Sequence, residues 1–315
     1  MSADPLRRLK HRAFLARRDA GLVGSSLLSR RTGALAQQLR IARAGLDLPP
    51  LAAHRGLWAV GMVRDEADVA AETIRHLLEQ GVERVLVADN LSTDGTGRIL
   101  RELAAEHPQV LVARDAEPAY VQSAKMTMLA DAAARAGARW VIPFDADELW
   151  YGAEGTLAET LSSARAPIAR AVVHNVFPSP DSEHELRVDR TPHYDDKVAF
   201  RPFPGAVVAM GNHEVSRPGR SESSLRILHR PWRSYEQFVR KARGGASALA
   251  LTQLPAEKGY HWRALGALSD DELGRAWESL LQGTASQEIA WRPRGSLVPL
   301  GPRLPRLWDE VRRAL

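Results

Sequence analysis

The chain of 315 residues contains no cysteine, which excludes disulfide bonds and thiolate metal sites and suits a cytoplasmic protein. It has no run approaching the ~18 uninterrupted apolar residues of a membrane span. The opening stretch "MSADPLRRLKHRAFLARRD" lacks the apolar centre and small-residue cleavage site of a secretory signal. There is no internal repeat and no low-complexity block. No helix-turn-helix, zinc-finger or aromatic RNA-binding motif accompanies the net charge of +5, so nucleic acid is not the expected partner.

What is present is a globular composition, 44% hydrophobic and 26% charged. The length allows a sizeable core in one large domain or two smaller ones. Basic residues crowd the start: Arg7, Arg8, Lys10, Arg12, Arg17, Arg18, Arg30, Arg31, Arg40 and Arg43 stand against Asp4, Asp19 and Asp47. With Leu6, Leu9, Phe14 and Leu15 interleaved at near-helical spacing, residues 1–43 read in two ways. They form a helix lying on an anionic membrane surface, or a basic arm that is solvated or packed on the main domain, the reading favoured here.

"LDLPP" (Leu46 to Pro50) marks a boundary, after which strand and helix patterns alternate. "LWAVGMVR", "RVLVADN", "QVLVARD" and "RWVIPFD" read as buried strands, separated by segments with helical spacing that stop at Gly81 and Gly137. Such alternation predicts an α/β fold: a mostly parallel, Rossmann-like sheet with helices on both faces. Ligands on such sheets lie beyond the C-terminal strand ends. Those ends carry "VRDEAD", "ADNLSTDGT", "RDAEPAYVQ" and "DADE", so acids gather along one edge. Some have a local role: Asp68 and either Thr93 or Asp94 are placed to cap the following helices. "DADE" is different. In a strand, residues i and i+2 share a side, so Asp145 and Asp147 are expected to converge. Two carboxylates that close resist ionisation unless a cation joins them. A hard divalent ion, Mn²⁺ or Mg²⁺, held by carboxylates and substrate phosphates, fits that requirement.

The run "GMVRDEAD…IRHLLEQGVERVLVADNLSTDGT…YVQ…WVIPFDADELW" resembles the family 2 glycosyltransferases, of GT-A fold. Later segments also fit, namely "GNHEV", "LHRPWRSYEQFVRK" and "HW", so the resemblance spans roughly residues 57 to 262. One departure is visible. The usual Asn-Glu of the first loop reads Asp65-Glu66 here, and a carboxylate cannot donate the hydrogen bonds of an amide. The resemblance implies that Val63 and Glu66 touch the base and ribose of a nucleotide-sugar, and that Asp89 accepts hydrogen bonds from the nucleoside. It places Asp94 in the same pocket or in support of its loop. Asp145 would lie near ribose and metal, and Asp147 would be the firmest ligand of Mn²⁺ or Mg²⁺. His229 is similar to the histidine that completes the metal shell in such enzymes, with His213 as its rival. Lys197, Arg201, Arg230 and Arg233 are placed to neutralise diphosphate charge.

The later half reads as strands at Lys197–Pro202 and Ser223–Trp232, then a helix from Ser234, with Ser234 and Gln237 as a capping box. The family is inverting, which implies in-line attack by an acceptor hydroxyl and a carboxylate base. Glu214 is the first candidate, then Asp195 and Asp196, with Glu148 as a further one. The expected division is a basic extension over 1–50, a GT-A domain over 51–265 and a helical, proline-rich extension over 266–315. By analogy the acceptor is a saccharide or glycolipid of bacterial surface synthesis, and the enzyme works in the cytoplasm or peripherally at the inner face of the membrane. A sugar nucleotidyltransferase would need a glycine-rich phosphate loop, which "MVRDEADV" lacks. A haloacid-dehalogenase-type phosphatase would carry its nucleophilic Asp near the first strand. The alternative of another class is a non-catalytic sugar- or nucleotide-binding module of the same fold.

Overall fold

The computed structural model of the chain describes residues 18–181, 185–252, 259–287, 289–301 and 303–315. The first part of the basic segment, with Leu6 to Leu15, lies outside the described residues. Residues 18–29 are helical. The helix that follows, α1 (Gly33–Gly45), sets Leu39 and Ala42 against Ala119, Val121 and Ala124. Arg30 is tied to Asp131 and to the carbonyl of Ala206. The described part of the segment is therefore docked on the body. Among the described residues no helix is long and apolar enough to cross a membrane.

A short strand, β1 (Leu46–Asp47), enters the sheet antiparallel to residues 114–115. The parallel heart is β2 (Leu57–Val63), β3 (Arg84–Asn90), β4 (Val110–Asp115) and β5 (Trp140–Phe144), in the spatial order β4-β3-β2-β5. These strands read as apolar runs because both of their faces are covered. Ala59, Val63, Val85 and Val87 meet α2 (Ala70–Glu79) and α3 (Thr96–Glu106); Trp58, Val60, Leu86 and Ala88 meet α4 (Gln122–Arg135). The side-chain period of two divides the core into these halves.

The sheet continues past β5 as β9-β7-β10-β6. These are β6 (Glu148–Gly152), β7 (Ile168–Pro178), β9 (Lys197–Phe200) and β10 (Ser221–His229). β9 is antiparallel to both β5 and β7, and β10 runs parallel to β7 and antiparallel to β6. The expected strands at 197–202 and 223–232 are thus present with shifted ends. β6 and β7 escaped the sequence reading, because β6 follows its acidic motif without a break and β7 lies outside the helix–strand alternation. A ribbon of β8 (Leu186–Asp189) and β11 (Leu297–Gly301) extends from β7.

The helices α6 (Tyr235–Ala250), α7 (Tyr260–Ala267) and α8 (Asp270–Leu281) pack around Trp232, Phe238, Leu265 and Leu273; α5 is Leu157–Ser163. Ser234 Oγ accepts from the N–H of Gln237 at 3.2 Å, but Gln237 Oε1 accepts from the N–H of Arg233 instead of Ser234. Only half of the expected capping box forms. The proline-rich tail is part of the packed body. Its last helix, α9 (Trp308–Ala314), buries Trp308 and Val311 against Tyr151, Val188 and Leu228. Tyr151 Oη donates to the carbonyl of Pro305 at 2.9 Å, and Gln80 Nε2 to that of Arg306 at 2.8 Å.

Candidate active site

The C-terminal ends of β2, β3 and β5 open on one crevice, where strand order turns from β3 on one side of β2 to β5 on the other. β5 ends at Phe144, and "DADE" is a turn closed by the N–H of Glu148 on the carbonyl of Asp145 at 3.1 Å. The strand alternation that would aim Asp145 and Asp147 together does not operate in a turn. Each carboxylate meets its own cation. Asp145 pairs with Lys197 Nζ at 2.7 Å and accepts from Asn212 Nδ2 at 3.1 Å and Gln122 Nε2 at 3.5 Å. Lys197 also reaches Glu148 at 2.7 Å. Glu148 is fully buried and accepts from the N–H of Asp145 and from Trp150 Nε1, both at 3.2 Å. Burial raises the Glu148 pKa against the pull of Lys197. For Lys197, burial opposes charge, but the two carboxylates outweigh it and hold its pKa above the ordinary value. Lys197, expected to serve a diphosphate, instead bridges two acids.

Asp147 is buried and turns the other way, with Oδ2 at 2.5 Å from Lys241 Nζ and 3.7 Å from both His229 Nε2 and Arg233 Nη1. Burial opposes its ionisation, yet Lys241, then His229 and Arg233, hold its pKa well below the usual carboxylate range. The ladders place His229 opposite Glu148 on one side and Asn175 on the other. His229 Nδ1 lies 2.9 Å from Asn175 Oδ1, an oxygen that only accepts. With Nδ1 held by Asn175, Nε2 is turned on Asp147, the orientation of a metal-ligating imidazole fixed by an outer partner. Among the described residues no group of three or more acids and histidines is arranged to hold an ion alone. Asp147 and His229 make a two-donor set, which fits a hard cation that takes its remaining ligands from phosphate and water.

The first loop and the "DGT" loop are stitched together. Asp94 accepts from the N–H of Ala67 and of Thr96, both at 3.0 Å, and from Thr96 Oγ1 at 2.6 Å; Thr96 Oγ1 in turn accepts from the N–H of Glu66 at 2.9 Å. Asp94 thus supports the loop. Gly95, with φ +100°, supplies the left-handed turn into α3. Asp65 accepts from the N–H of Thr93 at 2.7 Å, so this acid holds loop to loop. Asp68 does not cap α2; it pairs with Arg233 at 2.6 Å. Glu66 meets Arg233 and, at 3.4 Å, Lys241; burial raises its pKa against both cations.

A cavity of about 150 Å³ opens between these loops and α6, lined by Met62, Arg64, Glu66, Asn90, Lys241 and Trp262 among others. Two expected contacts fall one residue off it. Val63 is buried in the helix-facing core, and its neighbours Met62 and Arg64 line the cavity. Asp89 accepts from the N–H of Ser92 at 3.2 Å, and it is Asn90 that lines the cavity. Strand alternation puts Val63 and Asp89 on the opposite face from their neighbours. On α6, Gly244, Gly245 and Ala248 keep the wall low, and a Cβ at Gly245 would stand 2.8 Å from the Trp262 ring.

A second cavity, about 310 Å³, lies on the other side of Trp262 and Trp291, whose rings are 5.2 Å apart. His213 lines it, with Nδ1 bonded to the carbonyl of Asp196 at 3.0 Å; burial, then Lys197, lowers its pKa. Among the described residues Asp195 is the one downstream acid that lines this cavity. Asp196 and Glu214 both face Arg170, at 4.0 and 3.8 Å, and the Glu214 side chain is 74% exposed. The Arg201 side chain lies over the Trp140 ring and that of Arg230 pairs with Glu72, although the Arg230 backbone N–H donates to the carbonyl of Asp147 at 2.8 Å.

Among the described residues four non-glycine residues have positive φ: Asp65 at 54°, Leu91 at 58°, Asn212 at 60° and Trp291 at 54°. Asp65 lines the first cavity, Trp291 the second, and Asn212 donates to Asp145, the arrangement in which strained backbone marks a site. Lys241, Asn212, Gln122 and Asn175 were missed by the sequence reading. Ser234 and the helical spacing from it were the only signal that could have placed Lys241, one helical turn beyond Gln237.

The model of the glycosyl transferase family 2 matches residues 62–233, and the chain belongs to that family. It is a glycosyltransferase, and its sheet with helices on both faces is the GT-A fold. Comparison with curated proteins finds none that matches the chain. Among solved structures it is similar to the mannosyltransferase PcManGT from Pyrobaculum calidifontis in complex with GDP-Man and Mn²⁺, at 18% identity and TM-score 0.38, over 85% of this chain and 84% of that one. It is also similar to TarS 1–349 of S. aureus, at 13% identity and TM-score 0.36, over 75% of this chain and 81% of that one.

Proposed function

We propose that the chain moves a sugar from a nucleoside-diphosphate sugar to a hydroxyl of a saccharide or glycolipid acceptor, with inversion and with a divalent ion held by Asp147 and His229. The observation that carries this is the oriented pair itself: His229 Nε2 turned on Asp147 at 3.7 Å beside the bond from Nδ1 to Asn175, with Asp147 joined to Lys241 on the wall of the first cavity. When bound, Mn²⁺ or Mg²⁺ would supply Lewis-acid stabilisation of the departing diphosphate.

The base occupies the cavity with Met62 and Trp262, and Arg64, Arg240 and Lys241 on its wall neutralise the diphosphate. Asp145, fixed by Lys197 and Asn212, orients the donor from the other side of the turn. Asp195 is the general base, because among the described residues it is the one acid that lines the second cavity. It takes the acceptor hydroxyl proton as the new oxygen–carbon bond forms. The bond from the sugar carbon to the diphosphate breaks, and its electron pair leaves with the nucleoside diphosphate. Glu148 stays buried as the counter-charge of Lys197, and Glu214 and Asp196 as partners of Arg170. The transferase unit is residues 51–265. The described part of the basic segment stays packed on the body, and its exposed Arg31, Arg40 and Arg43 are the face offered to an anionic membrane on the cytoplasmic side.

The test is a thermal-shift screen of nucleoside diphosphates with and without Mn²⁺, on the wild type and on Asp147→Ala. A ligand that binds the native state raises its apparent stability. One diphosphate should give an ion-dependent shift that the variant loses. A shift of equal size without the ion, or one retained by Asp147→Ala, would defeat the metal assignment.

A further inference from the structure

The second cavity carries chemistry that the transferase reading leaves unspecified. Its wall includes His193, Asp195, His261, Trp291, Arg292 and Arg294. Burial first, with His229 adding to it for His193, lowers the pKa of His193 to about 4, and burial alone does so for His261. Both imidazoles are therefore neutral near pH 7, each offering one donor and one acceptor. His261 Nε2 is buried without a hydrogen-bond partner, and such an atom calls for a polar group from outside the chain.

The charges are equally uneven. Arg292 donates to the carbonyl of Pro293 at 3.0 Å and Arg294 to that of Pro192 at 2.8 Å. Among the described residues neither guanidinium is ion-paired, although the backbone N–H of Arg294 donates to Asp189 Oδ2 at 2.5 Å, and Asp195 is the single acid on the wall. By contrast, Arg230 and Arg233, two of the arginines expected to serve a diphosphate, are ion-paired. Aromatic faces complete the wall. Arg294 lies 5.4 Å over the Tyr194 ring, and Trp291, held at positive φ, stands edge-on to His229 at 5.8 Å. Aromatic faces suit the apolar side of a sugar ring, neutral imidazoles its hydroxyls, and forked guanidiniums a carboxylate or phosphate.

We propose that this cavity binds an anionic saccharide, with its carboxylate or phosphate on Arg292 and Arg294 and its ring on Trp291 and Tyr194. The inference rests on the transferase reading in taking this saccharide as the acceptor presented to Asp195.

The experiment titrates the full chain with three probes: maltose, maltose 1-phosphate and a glucuronate-terminated disaccharide, followed by ligand-detected NMR. At least one charged probe should bind about tenfold more tightly than maltose, the worth of one charge-assisted contact. The stronger of the two tells carboxylate from phosphate. Arg292→Gln/Arg294→Gln should abolish the preference without changing the nucleoside-diphosphate shift. Should that variant fold poorly, the wild type still decides, because added salt must weaken the charged probe and leave maltose unchanged. Equal affinity for charged and neutral probes, no binding of any probe, or a preference insensitive to salt and to the arginines overturns the inference. A normal diphosphate shift beside any of those results leaves the transferase reading standing. Loss of that shift in the wild type defeats the transferase reading, and the saccharide titration still decides the cavity.

Discussion

Asp195 and Lys197 stand two residues apart and do opposite work. Asp195 lines the second cavity, and among the described residues no cation is paired to it, as a group that must take up a proton requires. Asp195→Asn should lower kcat by about 10²–10⁴-fold with the nucleoside-diphosphate shift retained; steady-state rates beside thermal shift check this, and an unchanged kcat removes Asp195 from the mechanism. Lys197 is buried between Asp145 and Glu148. Lys197→Met would strand two carboxylates around a site where Glu148 is fully buried. Breaking a buried pair of this kind costs about 3–5 kcal/mol. Denaturant unfolding should show that loss, and adding Glu148→Gln should recover part of it, since the stranded charge is then gone.

At the scale of elements, α6 is the part that completes the site. It carries Gln237, Arg240, Lys241 and the low wall of Gly244 and Gly245, and Ser234 Oγ is its N-terminal cap. Ser234→Ala should lower stability by about 1 kcal/mol, and fraying of the first turn should weaken nucleoside-diphosphate binding because Lys241 stands less than two turns away. Urea unfolding and the diphosphate thermal shift measure the two effects separately. The same element shows what was legible. The helix and its Ser234 cap were readable from local spacing, as were β2 to β5, because helix and strand periods are local. Which face each side chain takes was not. Val63 and Asp89 were named for a cavity lined by Met62 and Asn90, because a one-residue difference along a strand exchanges its faces.

For the whole molecule, the second cavity makes stability depend on pH. His193 and His261 have folded pKa values of about 4, below the ~6.5 of an unfolded histidine. Between those values the unfolded chain binds protons that the folded one refuses, so stability rises with pH across this window and falls on acidification from about 6.5 to about 4. Melting temperatures measured across that range should decline toward acid. His193→Gln and His261→Gln should each flatten the slope, and an unchanged slope in both would show that other groups set it.

What the sequence by itself determined is whatever depends on neighbours a few residues away. The alternation of buried strands and helices, the acids at the strand ends, the "DGT" turn and the family resemblance belong here, and the fold and the transferase class follow from them. Only the tertiary structure decided the partners of each charge. The turn at Asp145–Glu148 separates Asp145 from Asp147. β10 then seats His229 between Glu148 and Asn175 through ladders to β6 and β7, and α6 brings Lys241 to Asp147 across 94 residues of chain. Buried charges take their meaning from the nearest opposite charge in space, and the order of residues along the chain does not contain that distance.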